Sequence, residues 1–593
     1  MTKFAGWMGP VSDTESAVAT LAQTAGELPV VQCAGRGYAV ATDSANYKQV
    51  GGVLLVALQS AYPTDALSSL LEAYLQRGIE ALRRQPGIVN LLLIDERQQT
   101  TFLMTDPIGI SHIYYARTND ALVFGSSADF VVRHPQVSNA ISPQSVFDYL
   151  YFNYCPSPNT IYRQVMKLEG GQCLSFHGGK VAIDRYWQPD FFENDCDLRR
   201  SGRELQQYLV EAVRDRVADD ENTGAFLSGG LDSSSVAGAL ARVFPGKAKT
   251  FSMGFQVAGY DEIEYANIAV AAFKTRSHTY YVTPEDTVAA VPAIAAYYDE
   301  PFGNSSALAA YYCAKLAKDN GVNRLLAGDG GDEIFAGNER YAKQMLFEGY
   351  HRLPQFLTSG MEYVLDGLPD AIARQKIPFK AKRYIEQAKA AMPDRLQDYN
   401  FLHRHAAADI FQADFLTEVD ISAPMQSLRE NYWRPANAST LNRMLYMDWK
   451  STLHDNDLVK VNRMCEMAGV EVCYPLLDPR IVDLSCRIPS ADKLRGQKLR
   501  WFYKQAMADF LPEAIINKSK HGFGLPFGIW LNDHEPLKQM AYQTVRDLGR
   551  RDFFRPEFLE HAIKMHQSVH AAYYGELIWV LMMLELWFVG KGY

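Results

Sequence analysis

The sequence predicts an α/β protein of two domains: a strand-rich N-terminal α/β sandwich and a C-terminal α/β domain with added helices. Three observations predict it. The chain has 593 residues, more than one hydrophobic core ordinarily serves. Short apolar runs of strand length, separated by turns, fill residues 1 to about 195. Beyond residue 196, two apolar runs each end in a glycine-rich turn, and the first leads into a helical pattern.

In chain order, Gly51 to Leu58 and Val89 to Asp95 read as strands, and Thr101 to Met104 as a shorter one. Leu67 to Arg84 reads as a helix, with Leu67, Leu70, Leu71, Tyr74, Leu75 and Ile79 on one face. Asp106-Pro107-Ile108-Gly109-Ile110 is a turn before the strand Ile113-Tyr114-Tyr115, and Val123 to Ser126 ends another strand. Leu168-Glu169-Gly170-Gly171-Gln172 and the strand after it close the first domain. An acidic and polar linker follows from Asp190 to about Arg200, which puts the domains at 1–195 and 196–593. Leu577 to Leu584, the most apolar run, is interrupted by Glu585 and falls well short of the ~20 residues that span a bilayer. It reads as a buried C-terminal helix, and no membrane contact is expected.

Phe226-Leu227-Ser228-Gly229-Gly230-Leu231-Asp232-Ser233-Ser234 carries the most chemistry. Gly224 to Leu227 reads as the end of a buried strand and Ser233 to Arg242 as the helix after it. Two glycines let the backbone turn tightly toward an anion, and the N–H groups at the helix start face negative charge. The lysine and the wider glycine spacing of G-x-x-x-x-G-K-[ST] are absent. The loop therefore suits ATP whose pyrophosphate is held by backbone amides, hydroxyls and a metal. Leu325-Leu326-Ala327-Gly328-Asp329-Gly330-Gly331-Asp332-Glu333 repeats the design with clustered carboxylates. Asp332 could share a magnesium ion with Asp232, since such sites use one or two carboxylates plus phosphate oxygens. A plain solvated turn is the competing reading of either loop.

Composition narrows the classes. The chain is 48% hydrophobic and 21% charged, as soluble globular proteins are. A net charge of −9 with no dominant basic stripe argues against nucleic acid. The basic cluster Arg374, Lys376, Lys380, Lys382 and Arg383 reads as a solvated face. The 8 cysteines form no C-x-x-C pair and Met1 to Pro10 has no apolar leader, so a cytoplasmic protein with reduced thiols is expected. His566 and His570 stand four apart but lack the glutamate of H-E-x-x-H, so a solvated or packed helix face is expected there rather than zinc.

These segments occur in an order that resembles the asparagine synthetase family over nearly the whole chain. The series runs Ser228-Gly229-Gly230-Leu231-Asp232-Ser233, Thr250-Phe251-Ser252-Met253-Gly254-Phe255, Tyr260-Asp261-Glu262, Asp299-Glu300-Pro301 and Gly328-Asp329-Gly330-Gly331-Asp332-Glu333. It continues through Lys460-Val461-Asn462-Arg463-Met464, Gly469 to Asp478, and Lys518-Ser519-Lys520-His521-Gly522-Phe523-Gly524. The resemblance implies an N-terminal Ntn-hydrolase-like sandwich, an ATP pyrophosphatase-type second domain, and use of ATP with Mg2+. It implies that a carboxylate attacks the α-phosphate to give an acyl-adenylate, which an amine then resolves with release of AMP. By the same resemblance, Ser228, Gly229, Gly230, Leu231, Asp232, Ser233 and Ser234 cradle the phosphates. Leu227, Ser252, Met253 and Gly254 border the adenosine, and Gly328, Asp329 and Gly330 complete the nucleotide site. Asp232 and Asp332 hold the metal, and Lys520, Asp329 and Glu300 are the candidate catalytic residues. Glu300 could orient a substrate amine or a lysine, or be structural; Asp455, Asn456 and Asp457 could position the amine.

The family's glutamine-hydrolysing cysteine is missing. Ala5-Gly6-Trp7 is the best match to its Cys-Gly-Ile pattern, and Arg36-Gly37-Tyr38-Ala39 is the nearest remnant of the glutamine pocket. Thr2 remains as an alternative N-terminal nucleophile. An amine other than glutamine-derived ammonia is therefore expected. Family members without the cysteine include β-lactam synthetases and lasso-peptide cyclases. Asp329 stands where the former carry a tyrosine, which counts against β-lactam formation. The resemblance thus points to a lasso peptide macrolactam synthetase acting on a precursor peptide, with a leader-peptide protease as a candidate partner. Aromatic residues from Tyr149 to Tyr154 could touch such a peptide or be core. A small-molecule asparagine synthetase-like amidotransferase or β-lactam synthetase, and a non-catalytic nucleotide-binding scaffold, stay open.

Overall fold

The computed structural model describes residues 3–9, 31–35, 37–44, 46–58, 64–85, 87, 89–194, 196–217, 222–351, 353–366, 376–398, 400–519 and 524–593. Thr2, Arg36, Arg374, Lys520, His521, Gly522 and Phe523 lie outside them.

Two antiparallel sheets come first. Their strands are β1 (Phe4–Met8), β2 (Val31–Gly35), β3 (Tyr38–Thr42), β4 (Tyr47–Val50), β5 (Val53–Ala57) and β6 (Leu91–Asp95). They continue as β7 (Thr100–Met104), β8 (Tyr114–Arg117), β9 (Leu122–Gly125), β10 (Met166–Lys167), β11 (Gln172–His177) and β12 (Lys180–Arg185). One sheet has the order β10-β8-β9-β1-β3-β2 and the other β12-β11-β7-β6-β5-β4. The alternation of side chains along a strand stacks them. Leu54 and Val56 of β5 meet Phe4, Met8, Val40 and Phe124 of the facing sheet. Val53, Leu55 and Ala57 point the other way, onto Leu67, Leu70, Leu71 and Leu82 of the helices Thr64–Arg77 and Ile79–Arg83. The sequence expects one helix over Leu67 to Arg84; Gly78, at φ 71°, divides it in two.

The outer face of the first sheet, with Ala5, Trp7, Ala39, Ala41 and Val123, is buried in one core with the C-terminal half. That half is built on a parallel sheet of β13 (Thr223–Phe226), β14 (Lys249–Gly254), β15 (Arg276–Tyr281), β16 (Arg324–Leu326) and β17 (Glu471–Cys473). The order is β15-β14-β13-β16-β17, so β13 pairs in parallel with both β14 and β16. The order reverses between β13 and β16, and open parallel sheets bind ligands outside the strand ends at such a switch point.

The C-terminal helix Ala571–Lys591 has 21 residues, more than the apolar run suggests, and is long and apolar enough to cross a membrane. Here it is a core helix. Ile578, Trp579, Leu581, Met582, Leu584 and Trp587 are buried. Tyr149 Oη donates to Val580 O (2.8 Å), Trp587 Nε1 donates to Tyr298 O (3.0 Å), and Glu585 pairs with Arg551 Nη2 (2.9 Å).

Candidate active site

The chain leaves β13 through Leu227, whose N–H bonds Phe251 O of β14 (2.8 Å), and turns at Ser228 to Gly230 into the helix Leu231–Val243. Ser228 and Ser233 pin the turn: their hydroxyls lie 3.0 Å apart, and Ser228 N donates to Ser233 Oγ (3.2 Å). Gly229 is required twice over. Its φ is +71°, and a Cβ would stand 2.5 Å from Ala266 N. The loop after β16 packs directly onto it. A Cβ on Gly328 would lie 2.7 Å from Ser233 N, and one on Gly331 would collide with Asp232 Oδ1.

Asp232 and Asp332 are thereby brought together, with Arg500 between them. Arg500 Nη1 and Nη2 donate to Asp232 Oδ1 and Oδ2, both at 2.6 Å, and Nη2 also pairs with Asp332 Oδ1. Burial works against the guanidinium charge, and Asp232 and Asp332 outweigh it. Two carboxylates gathered around a cation are a hard-oxygen donor set of the kind magnesium takes; Asp232 and Asp332 would hold the ion there beside phosphate oxygens.

Both loops open into a cavity of about 1010 Å³. Leu227, Ser228, Gly230, Leu231, Asp232 and Ser233 line it, as do Met253, Gly328, Asp329, Gly330 and Asp332. The opposite wall comes from the helix Leu458–Met467 and the π-helical turn Trp449–Asp457 before it. Such π segments are frequent at functional sites. Lys460 Nζ from this wall bonds Asp457 Oδ1 (2.8 Å), and both face the cavity. Burial pushes the Asp329 carboxyl up to about 6, with Lys460 opposing and Asp457 reinforcing the shift.

Several expectations are corrected by burial. Ser234 does not reach the cavity: its Oγ is enclosed in the core without a hydrogen-bond partner. Ser252 is also buried and donates to Leu227 O (2.7 Å), so it shapes the loop from behind. Gly229 and Gly254 serve the backbone and do not line the cavity. Glu300 lies outside it as well. It pairs with Lys167 Nζ (3.0 Å) and accepts from Ile161 N (3.1 Å), so it orients a lysine of the N-terminal half. Of the 455–457 segment only Asp457 lines the cavity; Asn456 Oδ1 accepts from Asn304 Nδ2 (2.9 Å). Tyr149, Tyr151 and Tyr154 are core residues, not a peptide-binding surface. Arg500 and Lys460 are what the sequence reading missed as cavity residues; Asp457 was among its candidates and does line the cavity.

Asp455 instead meets His112 and His454 at the junction of the two halves. His112 Nε2 lies 3.1 Å from His454 Nε2 and 3.3 Å from Asp455 Oδ1, a spacing that three metal ligands could adopt. The surroundings do not favour an ion. Asp455 already accepts from Ser157 N (2.8 Å) and Ser157 Oγ (2.6 Å), and Lys167 Nζ stands 4.0 Å away. His454 Nδ1 donates to Gly109 O (2.6 Å), so its bare Nε2 accepts from His112. Burial pushes His112 down to about 3, keeping it neutral. His566 is likewise satisfied, by Tyr542 Oη (2.9 Å) and Gly528 O (2.9 Å). His570 Nδ1 accepts from Tyr573 N (3.1 Å).

The asparagine synthase family model matches residues 204–589, and the glutamine amidotransferase domain model matches residues 15–187, leaving β1 and Ala5 outside. The asparagine synthetase (glutamine-hydrolyzing) 1 of Bacillus subtilis strain 168 is 23% identical over 520 residues, which are 87% of this chain and 80% of that protein. The amidase chry2 of Gibberella zeae is 22% identical over 549 residues, which are 82% of this chain and 76% of that protein. Among solved structures, the NH3-dependent NAD synthetase from Campylobacter jejuni aligns over 32% of this chain and 95% of its own, with 13% identity and a TM-score of 0.18.

Proposed function

The chain belongs to the asparagine synthase family, and on that premise we propose that it activates a peptide carboxylate with ATP and closes the peptide onto its own N-terminal amine. It is an ATP-dependent, AMP-forming carbon–nitrogen ligase. In the proposed reaction an Asp or Glu side-chain oxygen attacks the α-phosphorus. The bond from that phosphorus to the oxygen leading to the β-phosphate breaks, and pyrophosphate leaves. The amine nitrogen then attacks the acyl carbon, the bond to AMP breaks, and the nitrogen gives up a proton. Magnesium, when bound, neutralises charge building on the phosphates. The Ser228 to Asp232 loop orients pyrophosphate with its backbone N–H groups. Asp329 faces the same cavity, burial raises its carboxyl to about 6, and in this reading its carboxylate would accept the amine's proton.

The observation that carries this reading is the size of the cavity together with what β1 lacks. About 1010 Å³ is at the upper end of pockets for drug-sized ligands, roughly 300–1,000 Å³, which in this reading would take part of a peptide beside ATP. Ala5, buried in β1, offers neither sulfur nor hydroxyl for releasing ammonia from glutamine. The name of the Bacillus relative favours a second reading, amidation of a small amino acid. A linear precursor peptide with ATP and Mg2+ should give AMP and a product lighter by one water. AMP formed only with aspartate and ammonia, or another small substrate, selects the second reading; no AMP with either leaves a nucleotide-binding scaffold. A leader-peptide protease is the partner the peptide reading calls for.

A further inference from the structure

We propose that Arg500 is the resting counter-ion of the metal position: its guanidinium holds Asp232 and Asp332 in the ligand-free chain and must give way before a divalent cation can bind them. This rests on the reading of those two aspartates as magnesium ligands.

The three residues come from separate elements. Asp232 is in the first turn of the helix Leu231–Val243, Asp332 is in the short helix Gly331–Phe335, and Arg500 immediately precedes the helix Trp501–Ala506. Arg500 grips Asp232 through two bonds of 2.6 Å and reaches Asp332 with the same Nη2. The surroundings are shaped for it. Gly337 has no Cβ where one would collide with both Asp332 Oδ1 and Arg500 Nε. Arg500 itself adopts φ +53°, a left-handed conformation few side-chain-bearing residues take. Its guanidinium lies 5.5 Å from the Tyr503 ring, and Tyr503 Oη bonds Ser235 Oγ (2.8 Å) in the helix after the phosphate loop.

Charge makes the two occupancies exclusive. A guanidinium and a divalent ion on the same pair of carboxylates would repel at contact distance, and the side chain is 4% exposed, so water screens little. Bare magnesium dehydrates reluctantly and is poorly equipped to evict a bidentate arginine. A nucleotide changes both sides of the exchange: its phosphate oxygens complete the metal's shell and offer the displaced guanidinium a new planar acceptor. The metal should therefore enter with ATP and not before it. Arg500 acts here as a positioning residue that links metal occupancy to nucleotide occupancy.

The test uses Mn2+ as the probe, followed by electron paramagnetic resonance on the full chain. Without nucleotide, wild type should bind Mn2+ weakly, and Arg500→Met should bind it tighter by at least about tenfold. Adding Asp232→Asn to Arg500→Met should remove that gain. A non-hydrolysable ATP analogue should restore Mn2+ binding to wild type. Arg500→Lys, which keeps charge but loses the fork, should fall between and serves as the readout if Arg500→Met does not fold. Equal Mn2+ affinity in wild type and a folded Arg500 variant overturns the proposal while leaving the metal reading intact. No Mn2+ binding by any of them, even with the analogue, overturns the metal reading and this proposal with it.

Discussion

Asp232 and Asp332 are brought together by the packing of two glycine loops, and in the reaction they share one charge problem. Asp232→Ala or Asp332→Ala is expected to abolish substrate-dependent ATP–pyrophosphate exchange, because the leaving pyrophosphate would lose its cation. Near-normal exchange in either variant would falsify a shared magnesium. Lys520 follows the same logic from sequence. Lys520→Ala should keep ATP binding and cut turnover by about 10²–10³, the usual cost of one electrostatic contact aimed at a transition state. Isotope-traced product formation beside ATP-binding measurements separates this from a ground-state role, in which both would fall together. The loops were legible in sequence because glycine spacing and clustered carboxylates are local signals. Arg500 and Lys460 were not read as cavity residues, because they reach the nucleotide loops only through the folding of distant segments. Ser234 as a phosphate ligand and Glu300 as a catalytic group fail for a related reason, while the lysine-orienting reading of Glu300 stands: a residue type suited to a ligand says nothing of whether its side chain faces the cavity or the core.

Strands and helices were legible where they carry a hydrophobic period. The runs read as strands at Gly51 to Leu58 and Val89 to Asp95 contain β5 and β6. Short or solvent-facing strands such as β10, β12 and β17 carry no such signal, and a π-helical turn has no local signature. At the loop after β13, one methyl group should be decisive. Gly229→Ala asks a left-handed residue to place its Cβ 2.5 Å from the backbone of the helix Ile263–Phe273. The variant should lose ATP affinity while its circular dichroism spectrum stays native; unchanged affinity would show that the loop geometry does not matter for binding. The helix Pro143–Phe152 offers a stability test. Burial pushes its Asp148 carboxyl up to about 7 against a hydrogen bond from Gln144 Nε2 (2.8 Å). The unfolded carboxyl titrates near 4, so between about pH 4 and 7 the folded chain holds a proton that the unfolded chain releases. Stability from this group is full below that window, falls as pH rises through it, and is flat above. Asp148→Asn removes the titration, so its advantage should grow from about pH 4 to 7 and level off at roughly 2–4 kcal/mol. Melting curves of both proteins across pH check this; a constant difference would mean Asp148 is ionised throughout.

At the scale of the whole molecule, the question is why an amidotransferase-like half persists around a β1 strand that carries Ala5. The packing supplies a reason independent of glutamine chemistry. The outer face of the first sheet, including Trp7, Ala39, Ala41 and Val123, shares one continuous core with the C-terminal half. Charged contacts cross the same junction: Lys167 with Glu300 (3.0 Å), Lys3 with Glu466 (3.2 Å), and Arg434 with Glu169 (3.0 Å). Removing residues 1–195 would expose that apolar face and leave the buried Glu300 carboxylate without Lys167 and Ile161 N, its partners from the N-terminal half, a combination that destabilises strongly. Two outcomes are expected. The intact chain should release no glutamate from glutamine, with or without ATP. The truncated chain should be insoluble or bind a hydrophobic dye, and should lose ATP binding, although none of the loop residues has been removed. Glutamate release that disappears on replacing Thr2 would restore a catalytic role to the N-terminal half. A soluble, ATP-binding truncated chain would show instead that the nucleotide site folds alone and that the shared core is dispensable.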